Sequence, residues 1–112
     1  MKVKDEKHCH NNCGVAKTLK VIGSKWTILI LHNLFGGNKR FGELERNLDG
    51  ISPKTLSTRL SELEEEGIIK KRIFAEIPLH VEYHLTPKGK SLESIFDQMA
   101  SWGEGKSSNI SA

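Results

Sequence analysis

Apolar residues recur along the chain with two different periods, and the change of period divides it into a helical part and a part that begins with strands. Val15, Leu19 and Ile22 fall on one helical face and lead up to Gly23, which predicts a short first helix. Lys25 to Phe35 is apolar nearly all round, with Trp26, Ile28, Leu29, Ile30, Leu31, Leu34 and Phe35, so it is expected to be the buried central helix. Gly36, Gly37 and Asn38 break it, and Phe41, Leu44 and Leu48 mark a short third helix. Leu56, Leu60 and Leu63 form the narrow stripe of a fourth helix, which Gly67 ends. From Ile68 to Ala75 the residues are rich in β-branched and aromatic types, and Val81, Tyr83 and Leu85 alternate with Glu82 and His84, which predicts two strands. Glu76 to His80 is too long for a two-residue turn and suits a protruding tip. Thr86 and Pro87 have cap and first-turn chemistry, and Leu92, Ile95, Phe96, Met99 and Trp102 stripe a last helix that ends at Gly103.

The fourth helix carries the most chemical information. Ser52 is a preferred N-cap, Pro53 fits the first turn, and Ile51 and Leu56 are spaced for a hydrophobic staple. Away from the leucine stripe it presents Lys54, Thr55, Ser57, Thr58, Arg59 and Ser61. Small hydroxyls with long cations at a leading helix end suit entry into a DNA major groove. Three helices with short connections followed by a hairpin predict a fold that is mainly α with a small β-hairpin (α+β), a winged helix-turn-helix with an added C-terminal dimerisation helix. Trp26, Phe41, Phe96 and Trp102 are expected in the core, with Tyr83 in the hairpin core.

At 112 residues, 37% hydrophobic and 28% charged, the chain is expected to form one soluble domain. Residues 1–13 are expected to be a flexible N-terminal segment, 14–105 the winged domain and 106–112 a disordered tail. No stretch is long and apolar enough for a membrane span or a secretory signal, which points to the cytoplasm. The net charge of +3 is mild, but its distribution is uneven. Cations gather at Lys39 and Arg40, at Lys54 and Arg59, and at Lys70, Lys71 and Arg72, while Glu62, Glu64, Glu65 and Glu66 gather at the far end of the fourth helix. The expected DNA-contacting set is therefore Lys39, Arg40, Ser52, Lys54, Thr55, Ser57, Thr58, Arg59, Lys70, Lys71, Arg72 and His80. Strand alternation separates Lys71 from Lys70 and Arg72, so not all three reach one phosphate track. A solvated edge strand is the competing reading of that run.

Two cysteines, Cys9 and Cys13, are candidates for redox sensing. Cys13 precedes the first helix, where free N–H groups, the helix dipole and nearby Lys17 favour a thiolate. His8, Cys9, His10 and Cys13 could also hold a metal, but the cluster is local and lacks a second ligand pair, so no metal and no cofactor is expected. No phosphate-binding loop, nucleophile elbow or supported carboxylate pair is present, so no enzyme is expected. The apolar stripe Leu92, Ile95, Phe96, Met99 and Trp102, together with Leu19 on the first helix, exceeds what a small domain need bury and predicts a homodimer.

Cys13, Gly23-Ser-Lys-Trp26, Arg40-Phe-Gly-Glu-Leu44, Ile51-Ser-Pro-Lys-Thr-Leu56, Arg59-Leu60, Leu63-Glu64, Gly67, Val81-Glu-Tyr83, Leu85-Thr86 and Gly89 closely resemble the HxlR-type winged helix-turn-helix transcriptional regulators. The resemblance runs from about Cys13 to Gly103. It implies a prokaryotic dimer on pseudo-palindromic operator DNA, with several relatives responding to oxidants, quinones or aldehydes through an N-terminal cysteine that Cys13 matches. The chain departs from the pattern at Ser24, where Gly is common, and at Gly14, where Pro commonly follows the cysteine. The competing functions are a metal-responsive regulator using the His8–Cys13 cluster and a winged helix serving only protein contact.

Overall fold

The computed structural model describes residues 13–106. The expectations for His8, Cys9 and His10 and for the tail beyond 106 lie outside the described residues. The elements run α1 (Gly14–Ile22), α2 (Lys25–Phe35), β1 (Lys39–Arg40), α3 (Phe41–Asn47), α4 (Pro53–Glu65), β2 (Ile69–Phe74), β3 (His80–Leu85), α5 (Pro87–Lys90) and α6 (Glu93–Gly103). The winged helix-turn-helix architecture expected from the apolar rhythm is the one observed.

Side-chain caps set the helix starts. Ser24 accepts from the Thr27 N–H to begin α2, Ser52 from Thr55 to begin α4, and Thr86 from Gly89 to begin α5. The core forms where Ile30, Leu31 and Leu34 of α2 meet Leu44 and Leu48 near α3 and the α4 stripe Leu56, Leu60 and Leu63, closed by Ile68, Ile69, Leu85 and Phe96. Leu31, Leu44 and Leu56 are wholly inaccessible to solvent, so α2 is the central packing element its sequence predicts. Asn47 Nδ2 donates to Asn33 Oδ1 at 3.0 Å and ties α3 to α2 at the surface.

The sheet differs from a plain hairpin. Lys39 and Arg40 form a two-residue strand that pairs antiparallel with β3, so the order is β1-β3-β2. The last helix also differs from a single continuous element. Thr86 and Pro87 start the one-turn α5, and α6 begins separately at Glu93. The interruption falls at Ser91 and Leu92, where the Leu92 N–H bonds to the Gly89 carbonyl at 3.1 Å instead of continuing the α-helical ladder. Gly89 itself lies against the Ile68 carbonyl oxygen so closely that a Cβ would collide with it.

Two expectations for aromatic residues are corrected. Trp102, expected both in the core and on the dimer stripe, is 66% exposed and so is not part of this chain's core. Phe96, expected on the dimer stripe, is buried, and its ring meets that of Phe35 edge to face at 5.1 Å. The two stripe residues therefore lie on different faces of α6.

The wing is fixed to the end of α4 by hydrogen bonds converging on Thr86. Gly67, with φ +74°, closes α4 in a Schellman arrangement, its N–H bonded to the Glu64 carbonyl and the Ile68 N–H to Leu63. The Thr86 hydroxyl donates at 2.6 Å to the Gly67 carbonyl, with the Ile68 carbonyl 3.0 Å away, and accepts from the Gly89 N–H at 3.1 Å. Lys88 Nζ adds a bond to the Glu66 carbonyl at 2.9 Å. Thr86→Val keeps the shape and removes these bonds, so it is expected to cost about 1–3 kcal/mol. A lower urea midpoint at unchanged slope is the expected result; an unchanged midpoint would contradict it.

Candidate nucleic-acid interface

The leucine stripe fixes which side of α4 faces outward. Lys54, Ser57, Thr58 and Ser61 follow one another at i, i+3, i+4 and i+7 opposite that stripe, and all four are exposed. Ser52 and Thr55 are more constrained. Ser52 Oγ accepts the Thr55 N–H at 3.1 Å and donates to Thr55 Oγ1 at 3.0 Å, so the Ser52 hydroxyl is engaged in capping and Thr55 keeps its own proton to donate.

Arg59 is turned to the flank of the helix. Its Nη1 pairs with Glu62 Oε1 at 2.9 Å, and its Nε is buried without a hydrogen-bond partner. The side chain borders a groove of about 470 Å³ between α4 and the α1–α2 turn, beside Ser24, Thr27 and Glu62. Its charge is thereby partly compensated, whereas Lys54 extends outward near the helix start. The i+3 spacing of Arg59 and Glu62 was a visible sequence signal for this pairing.

The β2–β3 register sorts the wing residues by face. Lys71 lies opposite Tyr83, with Lys39 on the other side of Tyr83. Arg72 lies opposite Glu82, with Arg40 on the other side. Side chains alternate between faces, so Lys39 and Lys71 belong to one face and Arg40 and Arg72 to the other, bracketing Glu82. Lys70, Lys71 and Arg72 are all exposed. Lys39 is half-buried and its Nζ bonds the Gly37 carbonyl at 3.2 Å. The Arg40 N–H donates to Glu43 Oε1 at 2.7 Å, which holds the start of α3 against β1.

His80 does not stand free on this surface. Its side chain is 15% exposed and its ring stacks on Phe74 at 4.6 Å and 11°, while the Arg72 guanidinium lies 4.9 Å from the Phe74 ring on the same face. His80 Nδ1 is 3.1 Å from the Pro78 carbonyl and Nε2 is 3.6 Å from Glu82 Oε2. This column stiffens the outer wing, and its Phe74–His80 contact follows from strand pairing across the tip. Tyr83 is half-buried at the inner end of β3. Burial, and then the Glu64 charge, raise its phenol pKa above the ordinary value of 10.0, so it stays a neutral donor.

Cys13 occupies the N-cap of α1, where its Sγ accepts the Ala16 N–H at 3.3 Å. Cys13 holds the expected helix-end position, and its sulfur is in a disulfide. No group of three or more His, Cys, Asp or Glu suited to a metal occurs among the described residues, and the other members of the His8–Cys13 cluster lie outside them. Among the described residues no helix is long and apolar enough to cross a membrane.

Comparison with known proteins matches residues 21–111 to the family described as HxlR-like helix-turn-helix. An HTH-type transcriptional regulator of Bacillus subtilis (strain 168), YtcD, is 44% identical over 92 residues, which cover 82% of this chain and 73% of that protein. A transcriptional regulator of the MarR family from Porphyromonas gingivalis W83 has a similar crystal structure, with a TM-score of 0.81 and 39% identity over 88% of this chain and 96% of that one. The redox regulator HypR in its oxidized form has a TM-score of 0.79 and 41% identity, covering 83% of this chain and 96% of its own.

Proposed function

This chain belongs to the HxlR-like helix-turn-helix family of transcriptional regulators, and from that premise we propose that it occupies operator DNA in the cytoplasm as a homodimer, with α4 in the major groove and the wing along the backbone. The observation that carries the reading is the outward row Lys54, Ser57, Thr58 and Ser61 on a helix anchored by three buried leucines. Short hydroxyls and a lysine let the helix approach base edges, while Lys70, Lys71, Arg72 and Arg40 supply charge for phosphates. Arg59 is held on the flank of α4 by Glu62, and the Ser52 cap with its bonds to Thr55 fixes the leading turn. A module used solely for protein contact would have no need of this cationic wing.

Replacing Lys54 by Ala is expected to weaken operator binding by about 1–3 kcal/mol if it meets a base, with folding unchanged. Arg59→Ala is expected to change binding less, because its guanidinium is already held by Glu62. Anisotropy titrations of both variants test the placement; equal affinity of Lys54→Ala and wild type would overturn it.

The dimer reading is supported by apolar surface that the single chain leaves uncovered. Val15 and Leu19 of α1 are 65% and 56% exposed, and Ile95, Met99 and Trp102 of α6 are 44%, 44% and 66% exposed. A two-fold partner burying both helices would place two α4 helices roughly 34 Å apart, one DNA turn. Sedimentation at micromolar concentration is expected to give a dimer that Met99→Glu with Trp102→Glu splits. A wild-type monomer would refute it.

Cys13 is proposed as the oxidant-responsive group. Its sulfur sits at the first turn of α1, the helix that carries Val15 and Leu19 toward the proposed partner. A change of its covalent state can therefore alter the packing that spaces the two α4 helices. Coupling of 1–3 kcal/mol, or 5–150-fold in affinity, is the typical range for such a switch. Operator titration with reduced and diamide-treated protein should show that difference in wild type and lose it in Cys13→Ser; an equal response in the variant excludes Cys13 as the sensor.

A further inference from the structure

The end of the wing is apolar where a solvated hairpin tip would ordinarily be polar. Ile77 is fully exposed and Leu79 is 70% exposed, with Pro78 exposed between them. Single exposed apolar residues are common on protein surfaces, but three in succession at the end of the hairpin call for a contact that covers them. Resting on the DNA-binding reading of α4, we propose that Ile77, Pro78 and Leu79 enter the minor groove next to the major groove occupied by α4, wedge against a base step and kink the operator.

Reach, charge and stiffness favour this occupant. Ile69 is buried against the core at the foot of β2, and the six residues of that strand, at about 3.3 Å each, carry the tip roughly 20 Å outward. Half of a DNA turn is roughly 17 Å, the axial distance from a major groove to the minor groove beside it. Behind the tip, Lys71 and Arg72 project from opposite faces of the wing. A minor groove is walled by two phosphate strands, so an intruding wing needs cations on both faces, whereas an apolar protein pocket needs them on neither. The stack of Arg72, Phe74 and His80, with His80 bonded to the Pro78 carbonyl, braces the tip against bending away. Unstacking a base step requires that rigidity, and Ile, Leu and Pro are the side chains that architectural proteins use as wedges.

The test uses the full chain and an operator duplex enriched from a random library by the wild-type protein. The bend is read by energy transfer between end labels, and affinity by anisotropy over a range of salt. Wild type is expected to kink the duplex by an angle on the order of 20–90°. Ile77→Ser with Leu79→Ser should reduce that bend and weaken binding roughly tenfold, with an unchanged salt slope because no phosphate contact is lost. Lys71→Ala should instead lower the salt slope and leave the bend. If wild type binds without bending the duplex, or the tip variant bends and binds it as wild type does, the wedge is wrong and the tip belongs to a protein partner. If wild type enriches no duplex at all, the reading of α4 itself fails, and the wedge with it.

Discussion

The buried hydroxyl of Thr86 meets the carbonyl that closes α4 and the amide that opens α5, three chain segments at one oxygen. Gly67 makes this meeting possible, since its left-handed conformation turns the chain directly from α4 into β2. Gly89 completes it by leaving room for the Ile68 carbonyl. The angle between α4 and the wing is thereby set by buried, well-satisfied hydrogen bonds rather than by the exposed charges farther out. On the proposed reading, in which α4 and the wing meet one duplex at two places, an angle fixed before binding avoids the affinity lost in ordering it on contact.

Much of this arrangement was legible along the chain because it is local. The bounds of α2 follow from Ser24 and Gly36, and those of α4 from Ser52, Pro53 and Gly67, each a residue whose conformational preference acts within one turn. The parts that were not legible are the non-local ones. Lys39 and Arg40 have no alternation to mark a strand, and they become one because β3 offers an open edge beside α3. The need for glycine at position 89 comes from a carbonyl twenty-one residues upstream, that of Ile68, which no helical period encodes.

The candidate site shows the same division. That Lys54 and the small hydroxyls face outward follows from the position of the leucines. That His80 is stacked under Phe74 follows from the wing register. The α6 stripe is instructive for a different reason: apolar periodicity reports that a face must be covered, without saying by what. Phe96 is covered by its own chain, while Trp102, six residues nearer the end and on another face of α6, is left outside.

The pairing of Arg59 with Glu62 has an evolutionary consequence. It leaves the outward face of α4 with modest charge, while the cations of β1 and β2 stand on a separate element. On the proposed reading, attraction to any duplex and discrimination among duplexes then reside in different parts of the chain. Ser57, Thr58 and Ser61 can be exchanged for other polar residues with little effect on non-specific binding or on the core. A duplicated copy of such a regulator could therefore drift toward a new target sequence by a few surface changes while remaining folded and bound to the chromosome throughout.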